Sequence, residues 1–181
     1  MNENYIGGRV VVKFGDITQE ETDAIVNAAN STLMGGGGVD GAIHEAAGES
    51  LLYECKKVRA EKYPNGLPTG GAVITPGGDL TAKFVIHTVG PIYGSNNGKD
   101  VQFLSDCYAN YLRLAAENNV RTISFPSIST GAFGYPKQEA AQVASQVIED
   151  FLNHDTTIEQ VFLVFYSQND ARKFIENQKF A

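Results

Sequence analysis

The stretch TISFPSISTGAFGYPKQEAAQVASQVIEDFL, from Thr122 to Leu152, reads as strand, loop and helix in succession. Thr122–Phe125 is a short apolar, β-branched run of the kind that fills a buried strand. Ser127–Pro136 carries two glycines and several small hydroxyl residues, and a helix begins near Lys137. Over Gln138–Leu152 apolar residues recur at Ala141, Ala144, Val147, Ile148 and Phe151, the spacing of one helix face. A strand that passes through a small-residue loop into a helix is half of a parallel βαβ unit.

The rest of the chain repeats that grammar. Strand-like runs occupy Arg9–Phe14, Ala24–Asn27, Ala72–Thr75, Phe84–Val89 and Gln160–Phe165. Helical spacing covers Ala42–Val58, Val101–Glu117 and Ala171–Gln178. Thr18 with Glu21 three residues on reads as a capping box opening a short helix. The fold expected is α/β: a three-layer α/β/α sandwich around a mixed, mostly parallel central sheet. No repeat or low-complexity linker divides the 181 residues, so a single domain over 1–181 is expected.

Composition narrows the function. The balance of 14 Lys+Arg against 21 Asp+Glu gives a net charge of −7, which argues against nonspecific binding to nucleic acid. A small anion is not excluded, because backbone N–H groups supply positive potential without lysine. Cys55 and Cys107 are far apart, with no CxxC and no zinc spacing, and read as free buried thiols. The N-terminal residues have no basic segment followed by a long apolar one, and no apolar run is long enough to span a membrane. A soluble, cytoplasmic protein is expected, with no metal and no cofactor.

In parallel sheets ligands sit outside the carboxyl ends of the strands, so the loops there matter most. Four qualify: Gly15–Ile17, Ala28–Gly41, Ser127–Pro136 and the turn after Phe165. Gly36, Gly38 and Gly41 formally satisfy GxGxxG, but Ala28–Met34 separates them from the preceding strand, where the dinucleotide fingerprint should follow at once. No Gly-Lys-Ser/Thr follows, so a Walker A loop fails. A merely flexible loop is the plain alternative. Neither glycine loop contains Lys or Arg; phosphate held there would be held by amides and helix N-termini. Asp40 just ahead of a helix is an obvious N-cap, yet Ser or Asn would cap without repelling phosphate. An aspartate makes more sense if the site must handle a proton or a water.

Four motifs in order carry a resemblance: Gly15-Asp16-Ile17-Thr18, Val26-Asn27-Ala28-Ala29-Asn30, Gly36–His44 and Ile128–Pro136. Together they resemble macrodomains, specifically the MacroD-type branch that hydrolyses ADP-ribosyl esters, from about Arg9 to the last helix. The resemblance implies ADP-ribose and its esters as partners: O-acetyl-ADP-ribose, and ADP-ribosylated Asp or Glu of proteins. It implies that Asp16 accepts from the adenine amino group while the Ile17 amide reads a ring nitrogen. A turn Asp making local hydrogen bonds is the structural alternative for Asp16. An aromatic near the end of the last strand should pack on adenine; Phe165 is named, with core packing as its alternative and Tyr166 as its rival. Asn27 reads as no more than an Asx-turn, whereas Asn30 matches the position that hydrogen-bonds the distal ribose. Gly37, Gly38 and Val39 should approach the distal ribose and diphosphate. Ser129, Thr130, Gly131, Ala132 and Phe133 should cradle the diphosphate through amides, with Phe133 packing near the distal ribose. Family members often carry a branched aliphatic where Ala132 stands, which bears on the loop's local width. Asp40 is assigned to activating or positioning the attacking water, with Asn30 orienting the sugar. His44 lacks a paired nucleophile or second ligand and reads as structural. With His87 in a strand and His154 in a surface loop, a Ser-His-Asp arrangement has little support.

The activity so implied is hydrolysis, removing ADP-ribose from acidic side chains and deacetylating O-acetyl-ADP-ribose by a metal-independent activated water. A module that reads ADP-ribose without turnover, and an ADP-ribose-1″-phosphate phosphatase, are the alternatives.

Overall fold

Near-continuous apolar runs such as Phe84–Val89 and Val161–Phe165 call for a sheet covered on both faces, and the structure has that form. The computed structural model describes residues 2–181. The strands are β1 (Asn2–Tyr5), β2 (Val10–Phe14), β3 (Ala24–Ala29), β4 (Ala72–Pro76), β5 (Phe84–Val89), β6 (Thr122–Phe125) and β7 (Gln160–Phe165). The helices are α1 (Gly38–Ala47), α2 (Glu49–Glu61), α3 (Asp100–Glu117), α4 (Lys137–His154) and α5 (Gln168–Asn177). The sheet order is β1-β2-β7-β6-β3-β5-β4. Pairings from β2 through β5 are parallel, and only the edge strands β1 and β4 run antiparallel to their neighbours.

Successive strand residues point to opposite faces, and the core divides accordingly. Val26, Ile86 and Leu163 pack with α3, α4 and α5, including Tyr108, Tyr111, Ala144 and Ile148. Ile25, Val85 and Val164 pack on the other face with Ile43 and Ala47 of α1 and Leu51 and Cys55 of α2. The layers are therefore helices, sheet, helices. Among the described residues no helix is long and apolar enough to cross a membrane.

Three sequence expectations change. The single helix over Ala42–Val58 is two helices, α1 and α2, because Gly48 stands between them at φ 80, a conformation that ends the first helix. Thr18 opens no capping box: Asp16 is the cap of a short 3-10 turn over Ile17–Gln19, its side chain accepting from the Thr18 amide. β1 was not expected at all, since Asn2-Glu3-Asn4-Tyr5 has no apolar alternation; it is an edge strand paired with β2 and anchored where Tyr5 stacks on Phe180.

Candidate active site

The parallel strands direct their carboxyl ends to one edge of the sheet, and the loops singled out from sequence gather there. β6 and β3 are neighbours in that edge, yet β3 leads to α1 on one face and β6 to α4 on the other. That divergence opens a crevice between them, the switch point at which α/β proteins bind ligands. Both helices present N-termini without a side-chain cap: Gly37 precedes α1 and Pro136 precedes α4. Their first amides are free to meet an anion.

Asp40 lies inside the first turn of α1, not before it; Gly37 is the N-cap. The glycine run lets the helix start three residues earlier than an Asp40 cap would, so the carboxylate points inward rather than capping. It is 4% exposed. Its Oδ1 accepts from Asn27 Nδ2 at 2.8 Å. His44, one turn on, places Nε2 3.5 Å from the same oxygen, too long for a good hydrogen bond. The helix N-terminus favours a carboxylate here electrostatically.

Asn30 follows β3 directly. Its Oδ1 accepts from the Thr32 amide at 3.0 Å, and its Nδ2 donates to the Gly35 carbonyl at 3.1 Å. The side chain is thus held in one orientation by the loop it begins. A Cβ added at Gly36 would lie 3.3 Å from Asn30 Nδ2 and 3.3 Å from Asp40 Oδ2. Both side chains therefore border Gly36, and Oδ2, the oxygen not bonded to Asn27, is the one on that side. Gly41 is required by packing, since a Cβ there would fall 2.4 Å from the Gly36 carbonyl oxygen. Gly37 and Gly38 are exposed and Val39 half-buried along the same rim.

Across the crevice the Ser127–Pro136 loop is shaped by its backbone. The Tyr135 amide donates to the Ser129 carbonyl at 2.9 Å and the Gly134 amide to Gly131 at 3.0 Å. Ser129 is buried in the left-handed region at φ 66, and its Oγ has no partner among the described residues. Gly90, after β5, backs it: a Cβ at that position would meet Ser129 Oγ at 2.1 Å. Thr130 Oγ1 donates to Ser127 Oγ, while Gly131 and Ala132 are exposed and Phe133 half-buried. The Phe133 carbonyl accepts from the Tyr93 amide at 2.9 Å, joining this loop to the one after β5.

At the far end of the crevice the Gly15 amide donates to the Phe165 carbonyl at 2.8 Å, so the Asp16 turn and the end of β7 are adjacent. Asp16 is exposed and uses Oδ1 for the Thr18 amide and hydroxyl. Ile17 is buried in the α1-side core. Phe165 is 6% exposed and packs on Phe174 at 5.4 Å between ring centroids, whereas Tyr166 is 90% exposed.

Sequence reading passed over Asn27. It makes no Asx-turn: it is wholly buried in β3, donating to Asp40 and lying 3.1 Å from His87 Nδ1 on β5. The signal was its phase, since Ile25, Asn27 and Ala29 share one face and the polar one stands among apolar neighbours. Burial, reinforced by His44, lowers the His87 pKa to about 3, so the ring is neutral at physiological pH. Burial likewise pushes the Cys55 thiol up to about 12, with Asp40 and Glu54 adding, and Cys107 up to about 11. Neither is a thiolate nucleophile at neutral pH. Among the described residues no three His, Cys, Asp or Glu side chains converge as metal ligands would.

A switch-point crevice with two open helix N-termini defines the class: an α/β protein built to bind a small anionic ligand at the carboxyl edge of its sheet. Residues 26–144 match the Macro domain family, and the chain belongs to it. It is 51% identical over 166 residues to the O-acetyl-ADP-ribose deacetylase of Citrobacter koseri, covering 92% of this chain and 93% of that one. Among solved structures it is similar to the Oceanobacillus iheyensis macrodomain mutant G37V with ADPR, at TM-score 0.92 and 44% identity, covering 98% of this chain and 95% of that one. The Trypanosoma brucei macrodomain in complex with ADP-ribose is similar at TM-score 0.84 and 36% identity, covering 93% of this chain and 68% of that one.

Proposed function

We propose that this chain is a single macrodomain that hydrolyses ADP-ribosyl esters, deacetylating O-acetyl-ADP-ribose and removing mono-ADP-ribose from acidic side chains. The observation that carries the reading is that Asn30 Nδ2 and Asp40 Oδ2 both border Gly36, at the N-terminus of α1. A reader of ADP-ribose needs amides and an adenine contact; it does not need a buried carboxylate beside an amide at the ribose end. Likeness to proteins named O-acetyl-ADP-ribose deacetylase supports the same reaction.

In this reading Asp16, Ile17 and Phe165 take the adenine. Amides of Gly37, Gly38 and Val39 on one side, and of Ser129 to Phe133 on the other, take the diphosphate and distal ribose. Asn30 orients the sugar by hydrogen bonding, and Asp40 Oδ2 positions or deprotonates the water that attacks. On the acetyl ester the water forms the new C–O bond at the acyl carbonyl, the ester C–O bond breaks, and the ribose oxygen leaves with a proton; on the ADP-ribosyl ester it attacks either that carbonyl or the distal C1″, from which the side-chain carboxylate leaves. No residue is assigned to hold a metal. The cytoplasm, where Cys55 and Cys107 remain free thiols, is the compartment this reading assigns.

The test is turnover of O-acetyl-ADP-ribose, and of a protein mono-ADP-ribosylated on Glu, by the wild-type chain. Release of acetate and of ADP-ribose is expected. Binding of ADP-ribose with no turnover of either substrate would make the chain a reader.

A further inference from the structure

Three polar side chains interrupt the otherwise apolar face of the sheet beneath α1 and α2. Asn27 on β3 pairs in register with His87 on β5, and Thr75 on β4 lies diagonally beyond. Around them stand Ile25, Val73, Val85, Ile43 and Leu51. Polar groups in such a layer cost stability unless each is hydrogen-bonded. Their bonds form a chain that ends on Asp40.

The direction of that chain can be deduced. Asn27 Nδ2 carries two hydrogens; one meets Asp40 Oδ1 at 2.8 Å and the other points to His87 Nδ1 at 3.1 Å. The amide cannot be turned over, because its carbonyl oxygen would then face the carboxylate. His87 Nδ1 must therefore be the bare, accepting nitrogen, and the ring proton sits on Nε2, 3.0 Å from Thr75 Oγ1. Cys55 Sγ of α2 lies 3.8 Å from the same nitrogen, Asp40 and His44 of α1 face it from above, and Glu54 of α2 acts on Cys55. A proton on Nδ1 would confront the amide hydrogen and drive Asn27 to rotate, presenting its oxygen to Asp40.

We propose that His87 is a positioning residue for Asp40: as the neutral Nε2–H tautomer, locked by Thr75, it fixes the Asn27 amide that holds Asp40 Oδ1. With Oδ1 tied inward, Oδ2 is left facing Gly36 and Asn30. The inference rests on the proposed role of Asp40 but touches no substrate itself.

The first test is 15N NMR of the wild-type ring nitrogens between about pH 5 and about pH 8, a range bracketing the ordinary histidine titration. His87 should remain neutral and Nε2-protonated throughout. Titration near the ordinary value, or an Nδ1–H tautomer, overturns the proposal. The second compares His87→Phe, which removes the acceptor, with His87→Asn, whose Oδ1 can replace it. On O-acetyl-ADP-ribose the Phe variant should lose about tenfold in kcat, the scale of one lost hydrogen bond, with ADP-ribose affinity within about twofold. The Asn variant should recover most of that loss. Unchanged kcat in the Phe variant, or parallel loss of kcat and affinity, contradicts the role. Should the Phe variant fail to fold, Thr75→Val, which removes the tautomer lock alone, is expected to lower kcat in the same direction, and an unchanged kcat there is equally contrary. If the wild type shows no turnover, the proposed function falls separately. The positioning is then read from the Asn27 side-chain amide, slow to exchange in the wild type and the Asn variant and fast in the Phe or Val variant; equal exchange overturns it.

Discussion

The two loops that face each other across the crevice follow neighbouring parallel strands and each runs into an open helix N-terminus, but they are built differently. The loop from Asn30 to Gly41 is locked by side chains: Asn30 bonds to Thr32 and Gly35, and Asn27 reaches Asp40 from beneath. Its Gly41 is demanded by the approach of the Gly36 carbonyl, and Gly36 is closely bordered by Asn30 and Asp40. The loop from Ser127 to Pro136 contains no charged residue and keeps its shape through amide–carbonyl bonds at Tyr135 and Gly134. Its Gly131 has open space around the position of a Cβ. The packed side chains of the first loop can hold a carboxylate in one place. The open space at Gly131 leaves room for a ligand to approach the amides of the second. The proposed division is that the first supplies chemistry and the second supplies binding.

That contrast can be broken or sharpened by substitution. The largest of these effects is expected at Asn30: Asn30→Ala should lower turnover of O-acetyl-ADP-ribose by about 10²-fold, the scale of a mispositioned substrate, with ADP-ribose affinity nearly kept. A loss of affinity matching the loss of rate, measured by calorimetry beside kinetics, would move Asn30 to the binding side. At the adenine end, Asp16→Ala should weaken ADP-ribose binding by about 1.5–3 kcal/mol, the range of a charged hydrogen bond, and leave kcat at saturation close to wild type. Unchanged affinity would remove Asp16 from the site.

The buried network beneath the first loop has a pH signature. The folded-state pKa of His87 is lowered to about 3, so the unfolded chain binds its proton first as pH falls. Its contribution to stability is complete above the ordinary value near 6.5 and is lost progressively toward about 3. Thermal unfolding should therefore show the wild type losing on the order of 2 kcal/mol between about pH 7 and about pH 5. His87→Asn should flatten that slope; an identical slope would mean the ring is not buried neutral. The smallest effect belongs to the second loop. Gly131→Ala should change stability by less than about 0.5 kcal/mol, because nothing lies near the added methyl, so any loss of ADP-ribose affinity reports contact with the ligand itself. Lowered stability would show that the glycine serves the fold after all.

The parallel architecture was legible because β-branched runs such as Phe84–Val89 and periodic helices such as Val101–Glu117 sit where local preference and burial agree. Where they part, reading failed. β1 has no apolar alternation, and what holds it is pairing with β2 together with Tyr5 stacked on Phe180, neither visible along the chain. Gly48 breaks a helix whose apolar spacing runs on across it. Asp40 looked like a cap because a carboxylate before a helix commonly is one; that the glycines extend the helix by a turn depends on the Gly36–Gly41 contact, invisible along the chain. Asn30 and the two loops came from ordered motifs. Asn27 and His87 did not, since a polar residue in a strand declares its partner only when the neighbouring strand is placed beside it.

The central claim, that Asp40 serves the reaction and not the grip on the ligand, is tested most directly by Asp40→Ala. The measurement is the single-turnover rate on saturating O-acetyl-ADP-ribose, set beside the dissociation constant for ADP-ribose from the same preparation. A rate reduced by about 10²- to 10⁴-fold, the range for loss of a positioned general base, with a dissociation constant within about threefold of wild type, is the predicted result. Equal rates for the two proteins would contradict it.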